Sequence, residues 1–480
     1  MVEPTPVAPT TARTLLARTA RVQRDGRAPS LVAGVVRDGG LAWSAGRGGV
    51  ADPHTDVQYR LGSISKTVTA VVVMRLRDEG RLGLGDPLEA HVPGTPFGDR
   101  TVGQLLSHLA GASSESPGGW WERVPGGSLE DLALAPEHVV LGAARRFHYS
   151  NLGFGLLGEL VARHRGTSWA EAVTGEVLGP LGMSRTTPRP SGVAARGSAV
   201  HPWADVVLPE PEHDAGVMDA AGQLWATLTD LGRFAAFLLG DTGDVLSPAT
   251  LAEMSEPAGV DSSSAGWSAY GLGLQVVRAD GATLVGHGGS MPGFLAGVFV
   301  DRAEQTGAVM LANTTSGLDP LVPGLLADLR AAEPRVVEAW SPEAPPVPLA
   351  DLGVWFWGPA PHVLRAQAGG LLHLGPLPGR GGRASRFARR PDGSWVGLDG
   401  YYAGETLRIA ADHLDLATFT FTRQPYDPAA PVPGGVDERG WTPPLTRNAL
   451  PVRRPDEEGA SCSRGQARSR AARVEWVAKP

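Results

Sequence analysis

Cysteine is nearly absent from this chain. The single thiol, Cys462, stands in a polar C-terminal stretch, which excludes an internal disulfide and any metal site built from several thiolates. Lysine is almost as scarce. Of 43 Lys+Arg residues only Lys66 and Lys479 are lysine, so 43 − 2 = 41 are arginine and the body of the chain carries one amine. Long hydrophobic runs are missing too. Residues 1–28 hold no apolar segment of signal-peptide length and no later stretch is long enough to span a bilayer, so a cytoplasmic protein without membrane partners is expected. The net charge of −7 is small for 480 residues and the positive side chains are scattered, which gives nucleic acid no basic patch to bind.

What is present suffices for a packed core, with 42% hydrophobic residues in a chain long enough for one large domain and a smaller one. The lone internal lysine lies in Gly62-Ser63-Ile64-Ser65-Lys66, at the start of a segment that reads as a helix. Positions i and i+3 share a helix face, so the Ser63 hydroxyl and the Lys66 amine can enter one pocket. A chain that uses arginine almost everywhere keeps lysine where arginine cannot serve. Guanidinium stays protonated, whereas a desolvated amine can lose its proton and act as a base.

Taken in order, residues 1–29 read as a flexible arm. Leu31–Val36 and Leu41–Ser44 around Asp38-Gly39-Gly40 read as a hairpin. Thr67–Met74 is valine-rich and apolar on nearly every side, which predicts a helix buried all round and stopped at Gly80. Helical segments are expected at Val102–Leu109, Leu152–His164, Trp169–Leu178 and Thr229–Leu239. Strands are expected at Tyr270–Arg278, Thr283–Gly286, Phe294–Asp301 and Gly307–Ala312, followed by a helix over Leu318–Ala332. Strands, then helices, then strands imply an α+β domain over 30–340 whose first and last strands share a sheet. A proline-rich linker, 341–349, precedes alternating short runs over 350–425 that predict a small β-barrel or sandwich. Residues 426–480 show no helix or strand pattern and are expected to be irregular or disordered.

A nucleophilic serine needs a base, an oxyanion site and a group that orients substrate. Tyr149 and Asn151 stand two residues apart just before a helix, so one loop can present a phenol and an amide together. A lysine ammonium nearby would lower the phenol's pKa. Val285-Gly286-His287-Gly288-Gly289-Ser290 ends a strand with glycines that let a substrate lie beside it, with His287 expected to face the pocket.

Ser63-x-x-Lys66, Tyr149-x-Asn151 and His287-x-Gly289, in this order, resemble the three active-site motifs of the serine β-lactamase and penicillin-binding-protein superfamily, in its class C-like branch. Leu105-Leu106-Ser107-His108 and Ala220–Trp225 resemble the same branch, and the likeness covers roughly 30–335. It implies an antiparallel sheet flanked by helices with a helical subdomain. Ser63 is then the acylated nucleophile, Lys66 and Tyr149 the proton-transfer pair, Asn151 a ligand of the substrate amide, and the Ser63 and Ser290 N–H groups the oxyanion hole. No cofactor is implied. Histidine replaces the lysine that many β-lactamases carry at the third motif. A neutral His287 recognises carboxylate weakly, which resembles the esterases and D-amino-acid peptidases of the branch.

The expected activity is therefore hydrolysis of an ester or amide in a small molecule or short peptide. A β-lactamase or DD-carboxypeptidase is the alternative within the enzymes, and a non-catalytic binder of cell-wall peptides the alternative outside them. The C-terminal domain is open to two roles, capping the pocket or joining a homodimer. Gly153-Phe154-Gly155-Leu156-Leu157-Gly158 has a dinucleotide-binding spacing but no preceding strand, so helix packing explains its glycines. His201, His213 and Asp214 lack regular ligand spacing, and no metal is expected. Trp120 and Trp121 are open to lining an acyl pocket or covering the core.

Overall fold

The computed structural model describes residues 4–425 apart from 264, 265, 316, 319, 338 and 380. The expected tail over 426–480, with Cys462, lies outside these residues. The chain divides at Val337 into two compact units, each described by itself.

In chain order the first unit's strands are β1 (Ser30–Arg37), β2 (Gly40–Gly48), β3 (Tyr59–Arg60), β4 (Ser198–Val200), β5 (Val207–Pro209), β6 (Trp225–Ala226), β7 (Gly259–Val260), β8 (Ser268–Tyr270), β9 (Gln275–Ala279), β10 (Ala282–Met291), β11 (Phe294–Asp301) and β12 (Thr306–Ala312). Its helices are α1 (Pro9–Asp25), α2 (Ile64–Asp78), α3 (Val102–Leu106), α4 (Asn151–Arg165), α5 (Trp169–Val173), α6 (Asp219–Gly222), α7 (Leu228–Leu239), α8 (Pro248–Met254) and α9 (Leu321–Ala332). Eight strands make one antiparallel sheet in the order β2-β1-β12-β11-β10-β9-β8-β7, so the first hairpin closes on the last strand.

The two-residue period of a strand divides the core into two layers. On β1, Val32 and Val36 join the cluster built around α2, α4 and α7, while Leu31, Ala33 and Val35 join the cluster under α1 and α9. On β12, Val309 and Leu311 fall on the first side and Ala308, Met310 and Ala312 on the second. The sheet is thus covered on both faces. Helix α2 runs through the larger cluster with every residue from Ile64 to Met74 buried, and Gly80 follows its end at φ +72°.

Three local expectations need correction. The N-terminal arm contains α1, whose buried stripe is Thr11, Leu15 and Thr19, and whose Arg18 pairs with Asp328 of α9 at 2.6 Å. Two of those three contacts are threonine, so the apolar period is too thin to see. The strand expected over Tyr270–Arg278 is broken at residues 271–274, where Gly273 adopts φ +81° and its carbonyl accepts from Thr67 Oγ1 of α2 at 2.8 Å. A Cβ on Gly273 would collide with Ala70, so the bend is what admits the central helix. Helix α3 ends at Leu106, before the expected Leu109, and His108 turns the chain at φ +57°.

The second unit is a closed antiparallel barrel of eight strands: β13 (Gly353–Trp357), β14 (Ala360–Gln367), β15 (Leu371–Pro376), β16 (Ser385–Arg389), β17 (Trp395–Gly397), β18 (Thr406–Ile409), β19 (His413–Leu416) and β20 (Phe419–Thr422). Inward positions such as Trp355, Leu364, Leu374, Phe387 and Phe421 fill it.

Candidate active site

Ser63 caps the N-terminus of α2, and Gly62 before it has φ +56°. Only glycine fits there. A Cβ on Gly62 would lie 2.6 Å from the Ser290 nitrogen, so the turn into α2 rests directly on the end of β10. Gly289 makes the reciprocal approach: a Cβ there would overlap the Leu61 carbonyl and sit 3.3 Å from the Ser63 nitrogen.

The pairing of β10 explains what its end offers. Gly288 donates its N–H to Gln275 Oε1 on the β9 side, so alternation directs the Ser290 N–H the same way. The register with β9 ends at Gly286–Gln275. Beyond that point no strand among the described residues pairs with this edge, and the turn that carries Ser63 packs against the end of the strand.

One turn along α2, Lys66 is completely buried. Its Nζ lies 3.0 Å from Ser63 Oγ and donates to the Ala221 carbonyl at 2.6 Å. Burial pulls its pKa from 10.5 to about 7, with the carboxylates of Glu115 and Glu122 opposing the fall. Near neutral pH a large fraction of this amine is therefore uncharged and able to take a proton. Tyr149 is hydrogen-bonded to Ser63, and Lys66 Nζ lies 5.1 Å from the centre of its ring. Burial pushes the phenol's pKa well up, and Glu115 and Glu122 push it further in the same direction. This corrects the expected fall. With the amine neutral, desolvation decides and the phenol keeps its proton.

Asn151 opens α4. Ser150 before it accepts the Gly153 N–H at 2.9 Å and donates to the Ser113 carbonyl at 2.6 Å, which fixes the loop carrying Tyr149. The Asn151 amide nitrogen donates to both Glu115 carboxylate oxygens at 2.9 Å, and Trp121 Nε1 donates to Glu115 at 2.6 Å. Trp121 is buried and Trp120 exposed.

The structure brings Ser63, Lys66, Tyr149, Asn151, Gly289 and Ser290 together. His287 backs this group, its ring centre 6.4 Å from that of Tyr149, but does not open into the pocket. It is 1% exposed, its Nε2 lies 2.9 Å from the Tyr270 hydroxyl and its Nδ1 close to the Gly288 carbonyl, so both ring nitrogens are engaged inside the protein rather than facing the pocket. Burial lowers its pKa to about 3, which leaves the ring neutral.

Two residues escaped the sequence reading. Glu115 holds the Asn151 amide and gives the site negative charge, with no motif to announce it. His108 carried a signal, because it ends Leu105-Leu106-Ser107-His108. Its Nδ1 accepts the Ser150 N–H at 3.1 Å, and its ring stands 4.2 Å from that of Tyr149 and 4.4 Å from that of Tyr270. Burial keeps it neutral. The glycines of the dinucleotide-like run serve packing, as a Cβ on Gly155 would press on Met218 Sδ at 2.9 Å. Among the described residues no group of His, Cys, Asp and Glu is placed to hold a metal, and no helix is long and apolar enough to cross a membrane.

This fold is that of the β-lactamase-like serine hydrolase family, and comparison places the chain in that family. Residues 15–333 match the Beta-lactamase family, so the chain belongs to that family. Residues 344–423 match a domain of unknown function, DUF7586. Beta-lactamase-like protein 2 of Dictyostelium discoideum is 27% identical over 262 residues, which are 49% of this chain and 46% of that one. Penicillin-binding protein 4 of Amycolatopsis lactamdurans is 27% identical over 327 residues, 62% of this chain and 82% of that protein. The chain thus spans about half the length of the first relative and most of the second. The octameric penicillin-binding protein homologue from Pyrococcus abyssi shares the fold with a TM-score of 0.59 at 20% identity, covering 86% of this chain and 99% of that one.

Proposed function

We propose that this chain hydrolyses an ester or amide through a Ser63 acyl-enzyme, as an esterase or D-amino-acid peptidase acts. One observation carries the reading: a fully buried amine with a pKa near 7 lies 3.0 Å from the serine hydroxyl at the N-terminus of the central helix.

In this reading Ser63 Oγ attacks the carbonyl carbon while its proton passes to Lys66 Nζ. The carbonyl oxygen takes the developing charge between the N–H groups of Ser63 and Ser290. Tyr149, protonated at neutral pH, hands its proton to the leaving group and recovers one from Lys66. Water then attacks the ester carbonyl, losing its proton to the same pair, and Ser63 leaves as the alcohol. Asn151, tied by its nitrogen to Glu115, has its side-chain oxygen left to accept a substrate amide N–H.

The charge of the site supports a substrate choice. Glu115 and Glu122 both act on Lys66, and His287 is neutral, so a substrate carboxylate meets repulsion and no fixed cation at the third motif. That favours neutral or cationic acyl donors, such as simple esters and D-aminoacyl amides, over β-lactams and DD-peptides.

The test is turnover of an activated short-chain ester, a D-alanyl anilide and a chromogenic cephalosporin by wild type and Ser63→Ala. Turnover of the first two that disappears in the variant is expected, with the cephalosporin slower by about 100-fold. A preferred cephalosporin would overturn the substrate choice. No turnover by folded protein would leave a binding protein as the better reading.

A further inference from the structure

The barrel of the second unit ends in a layer that its own side chains do not fill. Side chains along a strand alternate between faces, so the residue two places beyond an inward one also points inward. Trp355, Leu364, Leu374 and Ser385 are buried on the inward rows of β13 to β16. One step further along the same rows come Trp357, His362, Pro376 and Arg383. The register agrees, since His362 faces Pro376 across β14 and β15, and Leu374 faces Ser385 across β15 and β16. These four residues, with buried Tyr402, border a cavity of about 380 Å³ at the mouth.

The chemistry of this mouth is specific. Trp357 is 45% exposed although it ends an inward row, and its ring is held edge-on to Phe419 at 5.5 Å. His362 is held against Phe421 in the same manner at 5.3 Å. The central carbon of the Arg383 guanidinium lies over Tyr401, 3.7 Å from the ring centre, and the side chain hydrogen-bonds to Tyr402. No carboxylate pairs with it among the described residues. A guanidinium held over a ring keeps the edge donors it has not spent on Tyr402, and a guanidinium fork matches a carboxylate. Rigid aromatic walls and one free fork are what a small ligand pocket at a barrel mouth requires.

We propose that this mouth is a binding site for a small carboxylate with a flat apolar face, the face lying against Trp357 and the carboxylate on Arg383. An aromatic acid and a sugar acid share that chemistry. The site lies wholly within the domain of unknown function, and no residue of the Ser63 unit lines it.

Calorimetric titration of the full chain tests this with 1-naphthoate, D-glucuronate and the uncharged 1-naphthalenemethanol. Saturable binding of at least one acid is expected, and which of the two binds identifies the source of the flat face. Arg383→Gln, a change at an exposed side chain, should weaken the acid about tenfold and leave naphthalenemethanol unchanged. Trp357→Ala should weaken both aromatic probes, and Ser63→Ala should alter none. The proposal fails if neither acid binds up to about 10 mM, a limit already weak for a built site. It also fails if Arg383→Gln binds the acid as wild type does, or if Ser63→Ala abolishes binding.

Discussion

Lys66 donates to the main-chain carbonyl of Ala221 at 2.6 Å, across 155 residues of sequence, and this bond aims the amine at Ser63. A neutral amine has two N–H donors and one lone pair. With a donor spent on Ala221, the lone pair is free to receive the Ser63 proton. Lys66→Arg keeps the charge and the reach but cannot shed a proton at neutral pH. Acylation by an activated ester, followed by the mass of the acyl-enzyme, should fall by about 1,000-fold or more. An arginine variant that acylates at the wild-type rate would remove Lys66 from the proton path.

The pH dependence follows from the same amine. The base proposed for Lys66 works only unprotonated, so kcat/KM should rise with pH through about 7 and level off above it. Glu115 raises the lysine's pKa. Glu115→Gln still accepts from Asn151 but loses the charge, so the acid limb should move to lower pH. A limb that moves upward, or stays in place, would assign the titration to another group.

Burying this amine also costs stability, and the sign of its pH dependence is fixed. The folded pKa, about 7, lies below the ordinary 10.5. Below pH 7 the lysine is charged in both states and the fold carries the full desolvation cost. Between 7 and 10.5 the unfolded chain binds the extra proton, so wild-type stability gains on that of a Lys66→Met variant as pH rises. Lys66→Met should melt several degrees above wild type at pH 6, with the gap closing by pH 10. A gap that widens with pH would contradict the burial argument.

How much of this was legible depends on whether local sequence determines the feature. The all-round valine content of α2 predicted its burial, and the order of the three motifs predicted which residues meet. The interior position of His287 was not legible, because it depends on Tyr270, 17 residues away and beyond a glycine bend. Helix α1 was missed because a threonine-rich stripe has no hydrophobic period to detect. For the phenol of Tyr149, sequence proximity to a lysine suggested a fall in pKa, but the sign is set by burial, a tertiary property.

His108 touches none of the reacting atoms and acts on Tyr149 by position. Its Nδ1 holds the Ser150 N–H, and its ring backs the phenol. His108→Ala should lower kcat about tenfold or more with a smaller change in KM, because the loop that carries Tyr149 loses its support. His108→Asn, whose side-chain oxygen can still accept the Ser150 N–H, should recover part of kcat. Equal losses in both variants would show that the hydrogen bond does not matter.

Gly289 is required for a reason that its motif does not disclose. The face of β10 that carries it lies so close to residues 61–63 that an added methyl would overlap the Leu61 carbonyl oxygen. That oxygen belongs to main chain held by the Leu61 N–H, which donates to the Leu224 carbonyl at 2.7 Å, so it cannot yield without moving the turn into α2. Gly289→Ala should therefore push the end of β10 away from Ser63, destabilise the protein by about 1–3 kcal/mol and separate the Ser290 N–H from the nucleophile. Thermal melting measures the first effect. The second predicts that acylation falls by about 100-fold or more even at temperatures where the variant is fully folded. A folded Gly289→Ala protein that acylates normally would mean that the Ser290 N–H takes no part in holding the oxyanion.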